Sequence, residues 1–191
     1  MAENRLTVVR HGETEWSRDG KHTGRTDIPL TDAGRTVAAK LAQALGDRTY
    51  AVVLSSPMAR ARDTAAIAGF SDAIVDEDLR EWDYGDYEGR TTSEIRRSGD
   101  ADWLLWDDGV PNGETLADVA ARADRVIRRV RSLDGDVLAF AHGHFLRVLA
   151  SRWLNQDPGF GRHLELSPAT LSVLAWERHV PAIQAWNAPV T

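Results

Sequence analysis

The sequence predicts a three-layer α/β/α sandwich with a mainly parallel central sheet. Two observations carry this prediction. Short strand-like apolar runs alternate along the chain with helical runs, the order that parallel sheets and their crossovers require. The strand runs at 6–9, 51–54 and 137–141 are largely continuous rather than alternating, which fits strands covered on both faces.

The elements follow in order. Leu6 to Val9 is apolar and β-branched, and reads as the first strand. Residues 10–30, rich in Gly, Thr, Asp and Pro, read as a long loop, and a loop of that length in a compact domain is usually functional. Thr31 is the expected N-cap of a helix carrying Val37, Ala38, Leu41, Ala42 and Leu45 at helical spacing. Ala51 to Leu54 is a second buried strand. Ser56 is then expected to cap a helix running to about Ala68, with Pro57 at its first position. Ile74-Val75 reads as a short edge strand. Residues 76–113 carry weak signals, with short helices expected near 91–97 and 101–107.

Glu114 to Arg131 is the clearest amphipathic helix. Leu116, Val119, Ala120, Ala123, Val126, Ile127 and Val130 share one face and predict core. Val137 to Ala141 is a third buried strand, followed by a helix from His144 to Leu154. Leu171 to Trp176 and Ala182 to Trp186 are the final strands. The 191 residues contain no repeat, low-complexity tract or linker, so one domain over 1–191 is expected.

Composition narrows the function. The formal charge is −6 at pH 7, which argues against general nucleic-acid binding, since that needs a positive field. Any anionic ligand must meet positive charge gathered locally. No apolar run reaches the roughly 18 residues of a membrane span and no signal peptide is apparent, so a cytoplasmic protein is expected. The absence of cysteine removes disulfides, thiol catalysis and thiolate metal sites.

Chemistry gathers at three strand ends. The first strand runs into Arg10-His11-Gly12-Glu13-Thr14, the second into Ser55-Ser56-Pro57-Met58-Ala59-Arg60, and the third into His142-Gly143-His144. In an open parallel sheet the carboxyl ends share one edge, where ligands bind. His11, His142, Arg10 and Arg60 should therefore meet. Arginine forks and helix N-terminal amides together make a dianion site. A neutral imidazole there can attack phosphorus, cationic groups can neutralise the equatorial oxygens, and a carboxylic acid can protonate the leaving oxygen.

The run Val9-Arg10-His11-Gly12-Glu13-Thr14 resembles the signature of the histidine phosphatase superfamily, which includes the cofactor-dependent phosphoglycerate mutases. The likeness continues through residues 23–31, Ser55-Ser56-Pro57 with Arg60-Ala61 and Thr64-Ala65, Leu79-Arg80-Glu81 with Tyr84-Gly85, Gly113 to Leu116, and Ala141-His142-Gly143. It covers nearly the whole chain. The resemblance implies His11 as nucleophile, Arg10 and Arg60 as phosphate clamps, His142 as the second pocket histidine and Glu81 as acid/base. It implies Thr14, Ser17, Thr23, Gly24 and the Gly143 amide as substrate contacts, with no metal and no cofactor. Ser17 stands where the mutases commonly carry asparagine. The segments around Glu13 to Thr31 look closest to small acid phosphatases and sugar-bisphosphatase-like members.

The activity so implied is metal-independent phosphomonoester hydrolysis of small phosphorylated metabolites, with phosphoglycerate mutase as the rival. The rival is disfavoured because only 32 residues separate Glu81 from Glu114 and the chain ends five residues after Trp186, leaving little to cover the site. A catalytically dead phosphate-binding module is disfavoured because every expected position is filled, and a metal hydrolase remains a minor reading. The expected partner is a small phosphorylated substrate, with neither nucleic acid nor membrane. Pairing into a homodimer is left open. His22, His144, His163 and His179 read as ordinary histidines, with His22 the first exception to consider. Arg25 and Arg62 rise only weakly above surface charge. Glu114 reads as a first-turn helix residue with a supporting role, and Trp103 with Trp106 as packing rather than a lid.

Overall fold

The computed structural model describes residues 3–46, 48–99 and 101–190. Its core is a six-stranded sheet ordered β3-β2-β4-β1-β5-β6. Strands β1 (Leu6–Arg10), β2 (Val52–Ser55), β3 (Ile74–Val75) and β4 (Val137–Ala141) run parallel. Strands β5 (Leu171–Glu177) and β6 (Val180–Ala188) complete it as an antiparallel hairpin beside β1. Arg178 and His179 form the two-residue turn of that hairpin, both with positive φ, as a turn matched to strand twist requires.

β1 and β4 are buried on both faces, as their uninterrupted apolar runs predict, whereas β2 is only partly covered at Val52 and Val53 and the edge strand β3 is exposed. Val137, Ala139 and Ala141 face helices α6 (Leu116–Ser132) and α7 (Gly143–Trp153), while Leu138 and Phe140 face α2 (Asp32–Leu45) and α3 (Ala59–Ile67). Leu41 and Leu45 of α2 are fully buried. Truncating either to alanine would cost on the order of 2–5 kcal/mol. The predicted apolar stripe of α6 is buried from Val119 to Val130, with Leu116 packed at its margin. Thr31 caps α2 as expected, its hydroxyl accepting from the Gly34 amide at 2.9 Å.

Four local features differ from expectation. The long loop contains a one-turn helix, α1 (Glu15–Arg18), closed by a capping box between Thr14 and Ser17. α3 begins at Ala59 rather than Pro57, and the Asp27 carboxylate, from a distant loop, accepts the Ala59 amide at 2.9 Å. α4 (Thr92–Ser98) falls as predicted, but α5 is confined to Leu105–Asp108. Glu114 precedes α6, whose cap is Thr115, so it is not a helix residue.

Candidate active site

β4 lies between β1 and β2, so the three strand ends are neighbours. The His11 amide donates to the Ala141 carbonyl at 3.0 Å, and the Ser56 amide to the Phe140 carbonyl at 2.9 Å. These bonds extend the sheet register one residue into the site and fix where each side chain begins. The Gly12 amide donates to Thr64 Oγ1 at 2.9 Å, locking the β1 turn against α3. Gly34 allows the turn to lie flat on α2, since a Cβ there would sit 2.3 Å from the Glu13 carbonyl oxygen.

The His11 ring is buried, and Nδ1 lies 2.7 Å from the Gly12 carbonyl oxygen. A carbonyl only accepts, so Nδ1 carries the hydrogen and Nε2 the lone pair. Burial holds the His11 pKa well below the usual imidazole value, with the Arg60 and Arg10 charges acting in the same direction. The ring is therefore a neutral base with one available nitrogen.

Arg10 sits beside it. One terminal nitrogen donates to the Leu166 carbonyl, while Nε is buried without a partner. Gly143 makes room for this guanidinium; a Cβ there would approach its Nε and Cζ to 3.3 Å. Arg60 is fully buried and largely committed to protein: it donates to the carbonyls of Thr23 (3.0 Å), Gly24 (2.9 Å) and Thr26 (2.9 Å), and through Nε to His142 Nδ1 (3.2 Å). His142 thus accepts at Nδ1 and donates from Nε2 to Ser56 Oγ at 2.7 Å. Its ring lies 5.1 Å from that of His11 by centroids. Burial and the neighbouring Arg60 hold the His142 pKa well below normal, so it is neutral with both nitrogens engaged. Arg60 and His142, expected as phosphate clamp and second pocket histidine, bond each other beside His11, and Arg60 also fastens loop 23–26; neither lines the cleft.

Glu81 caps α7. Its Oε1 accepts from the Phe145 amide (2.8 Å) and the Trp82 amide (2.9 Å), and Oε2 accepts from the His144 amide (3.1 Å). Oε2 therefore has the freer lone pair. Glu114 anchors this segment from behind. It accepts the Asp83 amide at 3.0 Å and forms a bidentate pair with Arg122, which also donates to the carbonyls of Asp78 and Arg80.

A cleft of about 300 Å³ opens above His11. Arg10, Ser17, Thr23, Glu81 and Gly143 line it, as the sequence predicts. Thr14 and Gly24 do not. Thr14 is fully buried because its side chain caps α1. Gly24 borders a second cavity with Arg25 and Arg122, separated from the first by Glu81. Glu88, which the sequence did not single out, holds the loop by accepting the Gly24 and Thr26 amides at 3.0 Å. Arg62 is exposed away from the cleft, and Arg25 pairs with Asp83 at 2.7 Å. His22 and His144, read as ordinary, both line the cleft, with Tyr84, Arg147, Trp103 and Trp106. Trp103 also packs in the core, so for that residue packing and lining coincide. His144 stands in the first turn of the helix that follows His142-Gly143, which was the available signal.

A neutral histidine at a parallel strand end thus shares its cleft with Arg10 and with Glu81, the carboxylate that caps α7, a combination that fits phosphoryl transfer through histidine. The family model of the histidine phosphatase superfamily (branch 1) matches residues 6–189, and the chain belongs to that family. An acid phosphatase of Mycobacterium tuberculosis is 41% identical, over 93% of this chain and 89% of the relative. The sedoheptulose 1,7-bisphosphatase of Saccharomyces cerevisiae is 38% identical, over 78% of this chain and 67% of the relative. A solved structure of mycobacterial glucosyl-3-phosphoglycerate phosphatase superposes with a TM-score of 0.85 at 30% identity, covering 97% of this chain and 99% of that one. The chain is a phosphoric monoester hydrolase of this family. Among the described residues no helix is long and apolar enough to cross a membrane.

Proposed function

We propose that the chain, acting as one catalytic domain, hydrolyses small phosphorylated metabolites, sugar phosphates among them, through a phosphohistidine at His11. The observation that carries this reading is the His11 tautomer: Nδ1 is tied to the Gly12 carbonyl and the ring is kept neutral, leaving Nε2 as a nucleophile.

The substrate phosphate enters beside Arg10, whose guanidinium lines the cleft and supplies charge-assisted donors, and beside the Gly143 amide at the first position of α7. His11 Nε2 attacks phosphorus in line. The bond to the leaving oxygen breaks, and that oxygen takes a proton from Glu81. Glu81, now a carboxylate, accepts a proton from water as the water oxygen attacks phosphorus. The phosphorus–nitrogen bond breaks, inorganic phosphate leaves, and both side chains are restored. Arg60 and His142 act from beside His11. Arg60, whose Nη1 also lies 3.9 Å from the Asp27 carboxylate, contributes positive potential, and its Nε bond to His142 holds the two side chains together. Ser17 and Thr23 line the route to the leaving group. Binding of small phosphorylated substrates in this cleft fits a locally positive site in an acidic protein, and the cytoplasm is the proposed setting.

The test is a phosphate-release screen over sugar phosphates, bisphosphates, phosphoglycerates and nucleotides with EDTA present. Release from sugar phosphates undiminished by EDTA supports the reading. Loss of all release on chelation, or no release from any phosphomonoester, contradicts it.

A further inference from the structure

The same cleft carries a cluster that the hydrolytic steps do not use. His144 Nδ1 and the Tyr84 hydroxyl are 2.7 Å apart. Burial keeps the tyrosine a phenol and both His144 and His22 neutral. That contact occupies Nδ1 and leaves Nε2 as the remaining hydrogen-bonding atom of the His144 ring. His22 lies 6.1 Å away by ring centroids, and its own Nε2 is buried without a partner. Trp106 packs on His144 at 5.5 Å and Trp103 on His22 at 5.6 Å, and all five side chains line the cleft.

Arg147, over the Trp106 ring at 4.8 Å, is a cation of this wall, while His144, His22 and Tyr84 present neutral polar groups. They offer donors and acceptors to a group that can reciprocate both ways, and indole faces pack on C–H surface. A carbon chain bearing hydroxyls has both properties. The His22 Nε2, buried without a protein partner, is a second polar atom of this wall, and a buried polar atom left unpaired is costly.

We propose that His144, positioned by Tyr84 and faced by His22, hydrogen-bonds a hydroxyl on the carbon chain of the substrate and selects sugar phosphates over phosphomonoesters with apolar leaving groups. The proposal rests on the phosphatase reading and names a specificity-determining residue for it. Tyr84 is a positioning residue, acting through the His144 ring.

The test compares ribose 5-phosphate with phenyl phosphate for the wild type, His144→Phe, His144→Asn and Tyr84→Phe. A site built to bond a hydroxyl discriminates strongly against its absence. The ratio of kcat/KM for the sugar phosphate to that for phenyl phosphate should fall by roughly 10- to 100-fold in His144→Phe, mainly through KM. Tyr84→Phe should shift the ratio the same way by less, and His144→Asn should recover part of it. An unchanged ratio in both His144 variants, whether or not overall activity drops, overturns the proposal. A wild type that releases phosphate from no phosphomonoester of the screen instead overturns the phosphatase reading, and the proposal falls with it; one active on other phosphomonoesters but not on ribose 5-phosphate overturns the proposal alone.

Discussion

His22 is buried in the cleft wall, and burial lowers its pKa from 6.5 to about 4. In the unfolded chain the ring is in water and titrates near 6.5. Between these values the unfolded state takes up a proton that the folded state refuses. The folded pKa is the lower one, so the stability is complete above pH 6.5 and is lost as pH falls toward about 4. The linkage relation with these two values gives a loss of about 2 kcal/mol at pH 5 and almost none at pH 7.5. His22→Phe keeps an aromatic ring against Tyr84 and Trp103 but removes the titration. Urea unfolding of both proteins at pH 7.5 and pH 5.0 measures the effect. The wild type should lose about 2 kcal/mol more than the variant across that interval, a difference from which the packing change cancels. Equal pH dependence in the two proteins would refute the reasoning. His11, His142 and His144 are depressed in the same direction, so both proteins should also share a further loss in acid.

Three other outcomes are expected. Glu81→Gln should slow sugar phosphates on the order of a hundredfold and aryl phosphates with acidic phenols far less, because only the poor leaving group needs the proton; equal losses in steady-state rates remove Glu81 from the acid role. Arg60→Lys keeps the charge but cannot reach the carbonyls of Thr23, Gly24 and Thr26 together, so chemical denaturation should show a loss of about 2 kcal/mol, and an unchanged midpoint counts against its fastening role. Given 3-phosphoglycerate after priming with 2,3-bisphosphoglycerate, the protein should yield inorganic phosphate faster than 2-phosphoglycerate, and the reverse order by product analysis restores the mutase reading.

The parts of the site that the sequence reveals are those set by short-range pattern. Uninterrupted apolar strands predict burial on both faces, and from that the convergence of His11 and His142 follows without any contact being known. Thr31 and the α6 stripe are legible for the same reason. What the sequence hides is supplied from far along the chain. The N-terminus of α3 is capped by Asp27, 32 positions away from Ala59, so Ser56-Pro57 misleads about where the helix starts. The three carbonyls of loop 23–26 that accept from Arg60 lie 34 to 37 positions away and leave no local signal in the sequence. His144 looks ordinary because Tyr84 and Trp106, which make it part of the cleft, belong to segments with no regular period.

The central claim is that the neutral Nε2 of His11 takes the phosphoryl group. Rapid acid-free quenching during turnover, followed by mass mapping, tests it most directly. The account predicts a phosphorylated peptide containing His11, labile in acid and stable in base as a phosphoramidate is, and absent from His11→Ala. A phosphoryl group on another residue, or near wild-type hydrolysis by His11→Ala, would contradict it.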